Sequence, residues 1–245
     1  MNREQISKLA HTHHPIKSPV NDDTVSRLLA QALPRGDERV LDLGCGSAEW
    51  LLRALAAHPD VRAEGVDISE SDLAEARRRA DHLGVGDRLD LHLRKAEDFT
   101  SPHPFDLILC VGSTHVFGGL LPTLEAVRRF LAPGGRVMIG DGIWEGTPTP
   151  EAVEMLGDFD DLPTTVDRIV TNGWTPVQGH TSTRQELDDY EWSNWGTLAD
   201  WALNNPTHPD SPQILDWSTT RRTEWLHTYR NAWSFTTLIL RRTSD

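Results

Sequence analysis

Two glycines stand where the backbone itself could hold a polar ligand. Gly44 and Gly46 follow the predicted strand Val40–Leu43 and precede a helix-like segment that begins near Ala48. Glycine lacks a Cβ, so the chain can turn sharply there and a ligand can approach the backbone closely. Exposed N–H groups at a helix start suit a polar or anionic group. The spacing therefore predicts a strand–turn–helix binding site.

A carboxylate follows at the end of the next predicted strand, where Asp67 lies. Such a carboxylate can accept hydrogen bonds from both hydroxyls of a ribose. Dinucleotide dehydrogenases share this arrangement, but their fingerprint has a third glycine three residues after the second. Glu49 stands at that position here. The sequence therefore argues against a nicotinamide cofactor.

Four motifs in a fixed order resemble those of class I S-adenosylmethionine-dependent methyltransferases: Leu41–Gly46, Gly65–Asp67, Phe105–Cys110 and Leu131–Val137. A looser similarity, to a bacterial branch of small-molecule methyltransferases, is carried by His11–Pro15, Gly112–Gly119 and Asp189–Glu191. The resemblance implies S-adenosyl-L-methionine as the cofactor. It also implies methyl transfer as the activity.

Strand and helix patterns alternate from residue 39 to residue 140, which predicts an α/β fold with a parallel sheet and crossover helices. The resemblance implies a Rossmann-like sheet of seven strands, mostly parallel with an antiparallel last strand, and helices on both faces. Three parts are expected. Residues 1–34 form an N-terminal lid segment and a helix, with residues 1–20 irregular because of Pro15 and Pro19. Residues 35–182 and 232–245 form the cofactor-binding core, and residues 183–231 form a helical insertion before the last strand, covering the active site.

The resemblance assigns nine residues to the cofactor: Asp42, Gly44, Cys45, Gly46, Asp67, Ile68, Ala96, Glu97 and Cys110. Asp42 either supports the glycine loop or reaches the methionine end of the cofactor through water. Related enzymes usually carry an acidic residue after the third strand, where this chain has Lys95. A lysine cannot accept the adenine amino proton. Glu97 or Asp98 is expected to accept it instead, with the Ala96 N–H on a ring nitrogen.

His115 is the candidate catalytic residue, because it follows the fourth predicted strand in a glycine-flanked loop. Imidazole titrates near neutral pH, so His115 could take a proton from the methyl acceptor. Hydrogen bonding to the acceptor without proton transfer is the equal alternative. The candidate acceptor-binding residues are His14, His115, Phe117, Asp141, Trp144 and Tyr190. The aromatic members predict a wall for a planar or cationic molecule.

No metal is expected. His11, His13 and His14 lie close together, but no cysteine or further close histidine completes a tetrahedral set. Cys45 and Cys110 match neither a metal spacing nor a disulfide framework. Free thiols and the absence of a long apolar run predict a cytoplasmic protein without membrane contact.

The formal charge of −13, from 37 acidic and 24 basic residues, disfavours nucleic acid as a partner. We therefore expect a monomer or homodimer that transfers a methyl group by in-line displacement to a small organic acceptor. That acceptor is expected to be aromatic or cationic and to belong to specialised metabolism. The alternative is a protein that binds S-adenosylmethionine without methyl transfer, as a regulator or a rearrangement catalyst.

Overall fold

The computed structural model describes residues 1–244, with the side chains of residues 3 and 4 outside that description. The chain forms two compact units. The sheet unit comprises residues 22–141, 163–181 and those from 236 onward. The helical unit comprises residues 1–21, 142–162 and 182–235. Each unit is thus assembled from segments that are far apart in the sequence.

Seven strands form one mixed sheet. They are β1 (Arg39–Leu43), β2 (Arg62–Asp67), β3 (Leu89–Leu93), β4 (Phe105–Val111), β5 (Leu131–Trp144), β6 (Trp174–Thr181) and β7 (Trp233–Arg242). Their order is β3-β2-β1-β4-β5-β7-β6. The pairs β1–β2, β1–β4, β2–β3 and β4–β5 are parallel, and β6–β7 is antiparallel. The predicted sheet, mostly parallel with an antiparallel last strand, is confirmed.

The strand register determines which residues meet at one edge of the sheet. Leu43 on β1 pairs with Val66 on β2, so Gly44 follows β1 where β2 is about to end at Asp67. On the other side of β1, Asp42 pairs with Leu109 of β4. The ends of β1, β2 and β4 therefore bring the glycine turn, Asp67 and Cys110 to the same edge.

The helices alternate with the strands or lie beside them. They are α1 (Arg3–Ala10), α2 (Asp22–Ala32), α3 (Glu49–Ala57), α4 (Glu70–Leu83), α5 (Leu120–Val127), α6 (Pro150–Leu156), α7 (Leu162–Thr171), α8 (Arg184–Asn204) and α9 (Ser211–Glu224), which continues as a π-helical turn (Trp225–Tyr229). Helix α4 begins at the Ser69 cap and ends at Gly84, whose φ is +68°. Helices α8 and α9 occupy the predicted insertion between β6 and β7.

The expectation of an irregular stretch over residues 1–20 is wrong for α1. Asn2 caps this helix: its side chain accepts from the Gln5 N–H, and the Gln5 side chain accepts from the Asn2 N–H. One turn apart, Ile6 and Ala10 pack in an apolar cluster with Leu198 and Ile214 of the helical unit. The helix ends before the prolines, so they do not oppose it.

Burial in the sheet unit follows the parallel arrangement. Four of the five residues of β1 are buried, as expected for a strand covered on both faces. Phe99, Phe105 and Trp174 are among the largest fully buried side chains, and they lie in the same apolar core. This core supports the sheet edge at which β1, β2 and β4 end.

Glu49, the residue found in place of a third glycine, joins two helices of the sheet unit. It is the first residue of α3 and is only 6% exposed. Its carboxylate accepts a hydrogen bond from Arg53 Nε at 2.8 Å and forms an ion pair with Arg79 of α4. The side chain therefore connects the start of α3 to α4.

A helix that spans a bilayer must be about 20 residues long and predominantly apolar. Within the described residues 1–244, no helix is both long enough and apolar enough to span a membrane.

Candidate functional site

The turn after β1 is built so closely that only glycine fits at residue 44. Gly44 has φ +85°, in the left-handed region that glycine enters without strain. A Cβ at this position would lie 2.5 Å from Ser113 Oγ. That hydroxyl donates to the Leu43 carbonyl at 3.2 Å and connects the loop after β4 to the end of β1. Ser113 therefore packs directly against the turn and fixes its position.

Asp67 is fixed by two backbone amides. Its Oδ2 accepts from the Gly46 N–H at 2.8 Å, and its Oδ1 accepts from the Ser69 N–H at 2.8 Å. Each carboxylate oxygen has a second lone pair for a ligand hydroxyl. The next residue, Ile68, is 72% exposed and presents an apolar side chain beside the carboxylate. This geometry suits a ribose at Asp67 with a planar ring nearby.

Asp42 is a buried carboxyl group close to the turn. It is 4% exposed, and burial, helped by the charge of Asp67, raises its pKa to about 8. At neutral pH the side chain is largely protonated. A cationic ligand group nearby would favour the ionised form, so Asp42 can respond to the charge of what binds.

Both cysteines are buried and neutral. Burial raises the pKa of Cys45 well above its ordinary value and that of Cys110 to about 12. The charges of Asp42 and Asp67 act on Cys45, and those of Asp42 and Asp141 act on Cys110. The two thiols therefore lie within electrostatic range of these carboxyl groups and stay protonated. Neither is activated as a nucleophile.

The segment after β3 forms a short 3₁₀ turn, Ala96–Asp98, in which Ala96 is buried. Glu97 lines a shallow depression of about 600 Å³ whose walls also include Phe117 and Arg129. The sequence assigned Glu97 to the cofactor and Phe117 to the acceptor. In the structure the two residues share one depression of the sheet unit.

His115 lies in the 3₁₀ turn Thr114–Phe117 after β4 and is exposed. Its ring has no hydrogen bond within residues 1–244. The preceding Thr114 is buried, and its Oγ1 donates to Asp141 Oδ2 at 2.7 Å. The turn is thus fixed through Thr114, while the imidazole of His115 can reorient toward a ligand.

The remaining candidate residues, His14, Trp144 and Tyr190, lie in the helical unit. The rings of His14 and Tyr190 meet edge to face, with centroids 5.2 Å apart. Trp144 is 6% exposed and packs edge to face on Phe159, at 5.9 Å. The structure therefore brings His14 and Tyr190 together and places Trp144 against a different ring.

The sequence alone did not identify several polar residues and side-chain pairs at these sites. Ser113 and Thr114 follow β4 directly, so their position after a strand was the available signal. In the helical unit Tyr190 OH lies 3.1 Å from His11 Nε2, and Glu191 binds Arg221. These pairs join distant segments, and no local spacing marks them. Among the described residues, no group of three or more His, Cys, Asp or Glu side chains is arranged to hold a metal ion.

Comparison with known proteins gives a family match over most of the chain. The family model described as a methyltransferase domain matches residues 34–194. This span includes the glycine turn, Asp67, the His115 loop and the first part of α8. It covers more than half of the 245 residues.

Similar proteins agree with this match. A methyltransferase from Geobacter sulfurreducens, solved with S-adenosyl-L-homocysteine, has a TM-score of 0.88 and 28% identity, over 97% of this chain and 98% of that one. YjhP of Escherichia coli strain K12 is 29% identical over 84% of this chain and 85% of its own length.

A relative with a named substrate aligns over a shorter span. The 27-O-demethylrifamycin SV methyltransferase of Amycolatopsis mediterranei is 32% identical over 60% of this chain, which spans about half, 54%, of that protein. The family match agrees with the S-adenosyl-L-homocysteine bound in the Geobacter sulfurreducens structure. The chain belongs to the methyltransferase-domain family and is an S-adenosylmethionine-dependent methyltransferase.

Proposed function

We propose that this enzyme methylates a small organic molecule of specialised metabolism. The paired geometry of Gly46 and Asp67, which is suited to an adenosyl group, supports the cofactor part of the proposal. The formal charge of −13 argues against a nucleic acid acceptor. The rifamycin relative acts on a small molecule by its name and supports the same class of acceptor.

We place the cofactor over the turn at Gly44 and Gly46, with its ribose on Asp67. The residues fit such a group, because each Asp67 oxygen has a lone pair to offer beside the glycine turn. Ile68 would cover one face of the adenine, while Ala96 and Glu97 would approach its edge. Cys45 and Cys110 would line the site, and Asp42 would lie toward the methionine end.

The cofactor, when bound, supplies a methyl group on a positively charged sulfur that needs no further activation. The protein has to align the acceptor with that methyl group and exclude water. We propose one of two roles for His115: it either takes a proton from the methyl acceptor or only forms a hydrogen bond with it. Its exposure and its lack of a hydrogen bond within the described residues leave the imidazole available for both.

Further acceptor contacts are proposed at His14, Phe117, Asp141, Trp144 and Tyr190. Their aromatic rings favour a planar acceptor. Roles for residues 1–34 as a lid and for residues 183–231 as a cover of the active site stay predictions.

Two measurements test the function. Calorimetry of the purified protein with S-adenosylmethionine and S-adenosylhomocysteine should give saturable heats. Screening of small molecules should then identify acceptors that yield S-adenosylhomocysteine and a methylated product of matching mass. Cofactor binding without product for any small molecule, together with methylation of a protein or nucleic acid, would refute the proposed acceptor class.

A further inference from the structure

A cluster of polar side chains in the helical unit lies outside the residues proposed for the cofactor. Its centre is an ion pair between α8 and α9. Arg221 Nε and Nη2 donate to the two carboxylate oxygens of Glu191, each at 2.8 Å. The Glu191 side chain is 3% exposed, whereas the Arg221 side chain keeps 38% of its area exposed. The carboxylate thus holds one side of the guanidinium, while part of the Arg221 side chain stays exposed.

Arg221 retains binding capacity after this pairing. A guanidinium has five N–H donors, and Glu191 occupies only the Nε and Nη2 side of the group. Nη1 makes no hydrogen bond to any residue in the described part of the chain. Because the two bonds to Glu191 fix the plane of the group, its remaining donors are oriented before a ligand arrives.

Two tyrosine phenols lie within electrostatic range of this arginine. They are those of Tyr190 and Tyr229, and the charge of Arg221 acts on both. Tyr229 is the last residue of the π-helical turn Trp225–Tyr229. Turns of this kind are rare and frequently occur at functional sites. Burial raises the pKa of Tyr190 to about 12 and also raises that of Tyr229, so both phenols stay neutral.

The hydrogen bonds of His11 determine the direction in which the Tyr190 hydroxyl donates. His11 Nδ1 lies 2.8 Å from the Ser7 carbonyl, which can only accept, so Nδ1 carries the proton. Burial lowers the pKa of His11 to about 4, so Nε2 is an unprotonated acceptor at neutral pH. The Tyr190 hydroxyl therefore donates to Nε2 over 3.1 Å. The pair positions the Tyr190 ring, and a proton relay through it is unfavourable.

We propose that Arg221, held by Glu191 and close to Tyr190, binds the carboxylate group of an aromatic or other planar organic acid. This site lies within the helical unit, and the inference goes beyond the function proposed above. A planar carboxylate matches the donors of a fixed guanidinium, and the half-buried Tyr190 ring offers surface for the apolar part of the acid. A cationic ligand would find little accessible carboxylate on Glu191, whose side chain is 3% exposed.

Benzoate and its uncharged analogue benzamide are the probes. Both are titrated by calorimetry, at equal ionic strength, into protein saturated with S-adenosylhomocysteine. We expect benzoate to bind at least fivefold more tightly than benzamide. Arg221→Gln should remove this preference and leave the affinity for S-adenosylhomocysteine unchanged. The matched control is Arg222→Gln, whose exposed guanidinium lies 5.9 Å from the Trp195 ring and should keep the preference.

Glu191→Gln separates ligand binding from a purely structural ion pair. Removing the negative charge while keeping Arg221 should leave benzoate binding equal or stronger. If the ion pair is only structural, Glu191→Gln and Arg221→Gln should lose benzoate binding to the same extent. Arg221→Lys, which keeps Glu191 paired, gives a second comparison if Glu191→Gln lowers the melting temperature. It should reduce the preference for benzoate at least threefold, because lysine lacks the fork of donors.

The proposal is overturned if benzoate and benzamide bind alike, or if Arg221→Gln and Arg221→Lys both keep the preference. It is also overturned if folded Glu191→Gln loses benzoate binding as Arg221→Gln does. The titration with S-adenosylhomocysteine distinguishes these results from failure of the proposed function, which would appear as absence of cofactor binding in the parent protein.

Discussion

The carboxylate of Asp67 accepts a hydrogen bond from the Gly46 amide at 2.8 Å, which joins the end of β2 to the turn after β1. The second oxygen accepts from the Ser69 amide, also at 2.8 Å. The side chain proposed to hold the ribose therefore also shapes the turn that the cofactor would cover. The proposed ribose contact and the observed local structure thus involve the same two oxygens.

Asp67→Asn tests this double role. An amide has one oxygen, so it can accept from Gly46 or from Ser69, and its NH₂ group then faces the other N–H donor. Loss of one such bond with an unsatisfied group costs about 1–3 kcal/mol. We expect weaker binding of S-adenosylhomocysteine by calorimetry and a lower free energy of unfolding in urea. Asp60→Asn, at an exposed position, is the control; unchanged cofactor affinity in Asp67→Asn would place the ribose elsewhere.

Gly44→Ala should be more destabilising than a glycine replacement without steric conflict. Gly84→Ala provides the comparison, because Gly84 has φ +68° but nothing within 4 Å of an added Cβ. A left-handed alanine alone costs ~1–2 kcal/mol. At Gly44 the clash with Ser113 adds about 1–3 kcal/mol. Urea unfolding of both variants measures the difference, and equal losses would show that the Ser113 contact relaxes freely.

Asp42 should make stability depend on pH. The folded pKa of about 8 exceeds the unfolded value of about 3.9, so the folded state holds a proton that the unfolded state releases. This contribution to stability is complete below about pH 4 and is lost as pH rises through 8. Urea unfolding between pH 5 and pH 9 should therefore show a downward slope that is reduced in Asp42→Asn. A slope of equal size in the variant would assign it to other groups.

His115→Ala should slow methyl transfer more than it weakens cofactor binding. A positioned proton acceptor contributes ~10²–10⁴-fold to a rate, so a loss of about 100-fold in turnover supports that role. A smaller loss that appears mainly in the KM of the acceptor supports hydrogen bonding alone. His103→Ala, at another exposed histidine, is the control. Full turnover in His115→Ala would remove the residue from the reaction.

The features that sequence predicted well are governed by short-range rules. The glycine turn and the position of Asp67 each follow from residues a few positions apart. Both depend on backbone freedom and on where a strand ends, which neighbouring residues determine. The seven-stranded sheet followed from the order of such motifs.

The features that sequence missed depend on contacts between distant segments. His11 and Tyr190 are 179 positions apart, and Glu191 and Arg221 are 30 apart on different helices. Helix α1 was missed for a related reason, since Ile6 and Ala10 gain stability from packing on Leu198 and Ile214. Short helices are marginal without such packing. The proposed carboxylate site therefore became visible only with the fold.

The ion pairs of Glu49 bear on how readily this scaffold could accept another cofactor. The third glycine of the dinucleotide fingerprint allows close packing of helix and strand, and Glu49 stands at that position with Arg53 and Arg79 as its partners. Glycine there would leave both arginines without that partner and loosen α4 from α3. Conversion to nicotinamide use would thus require several concerted replacements, so this helix junction acts as a barrier to exchange between the two cofactor classes.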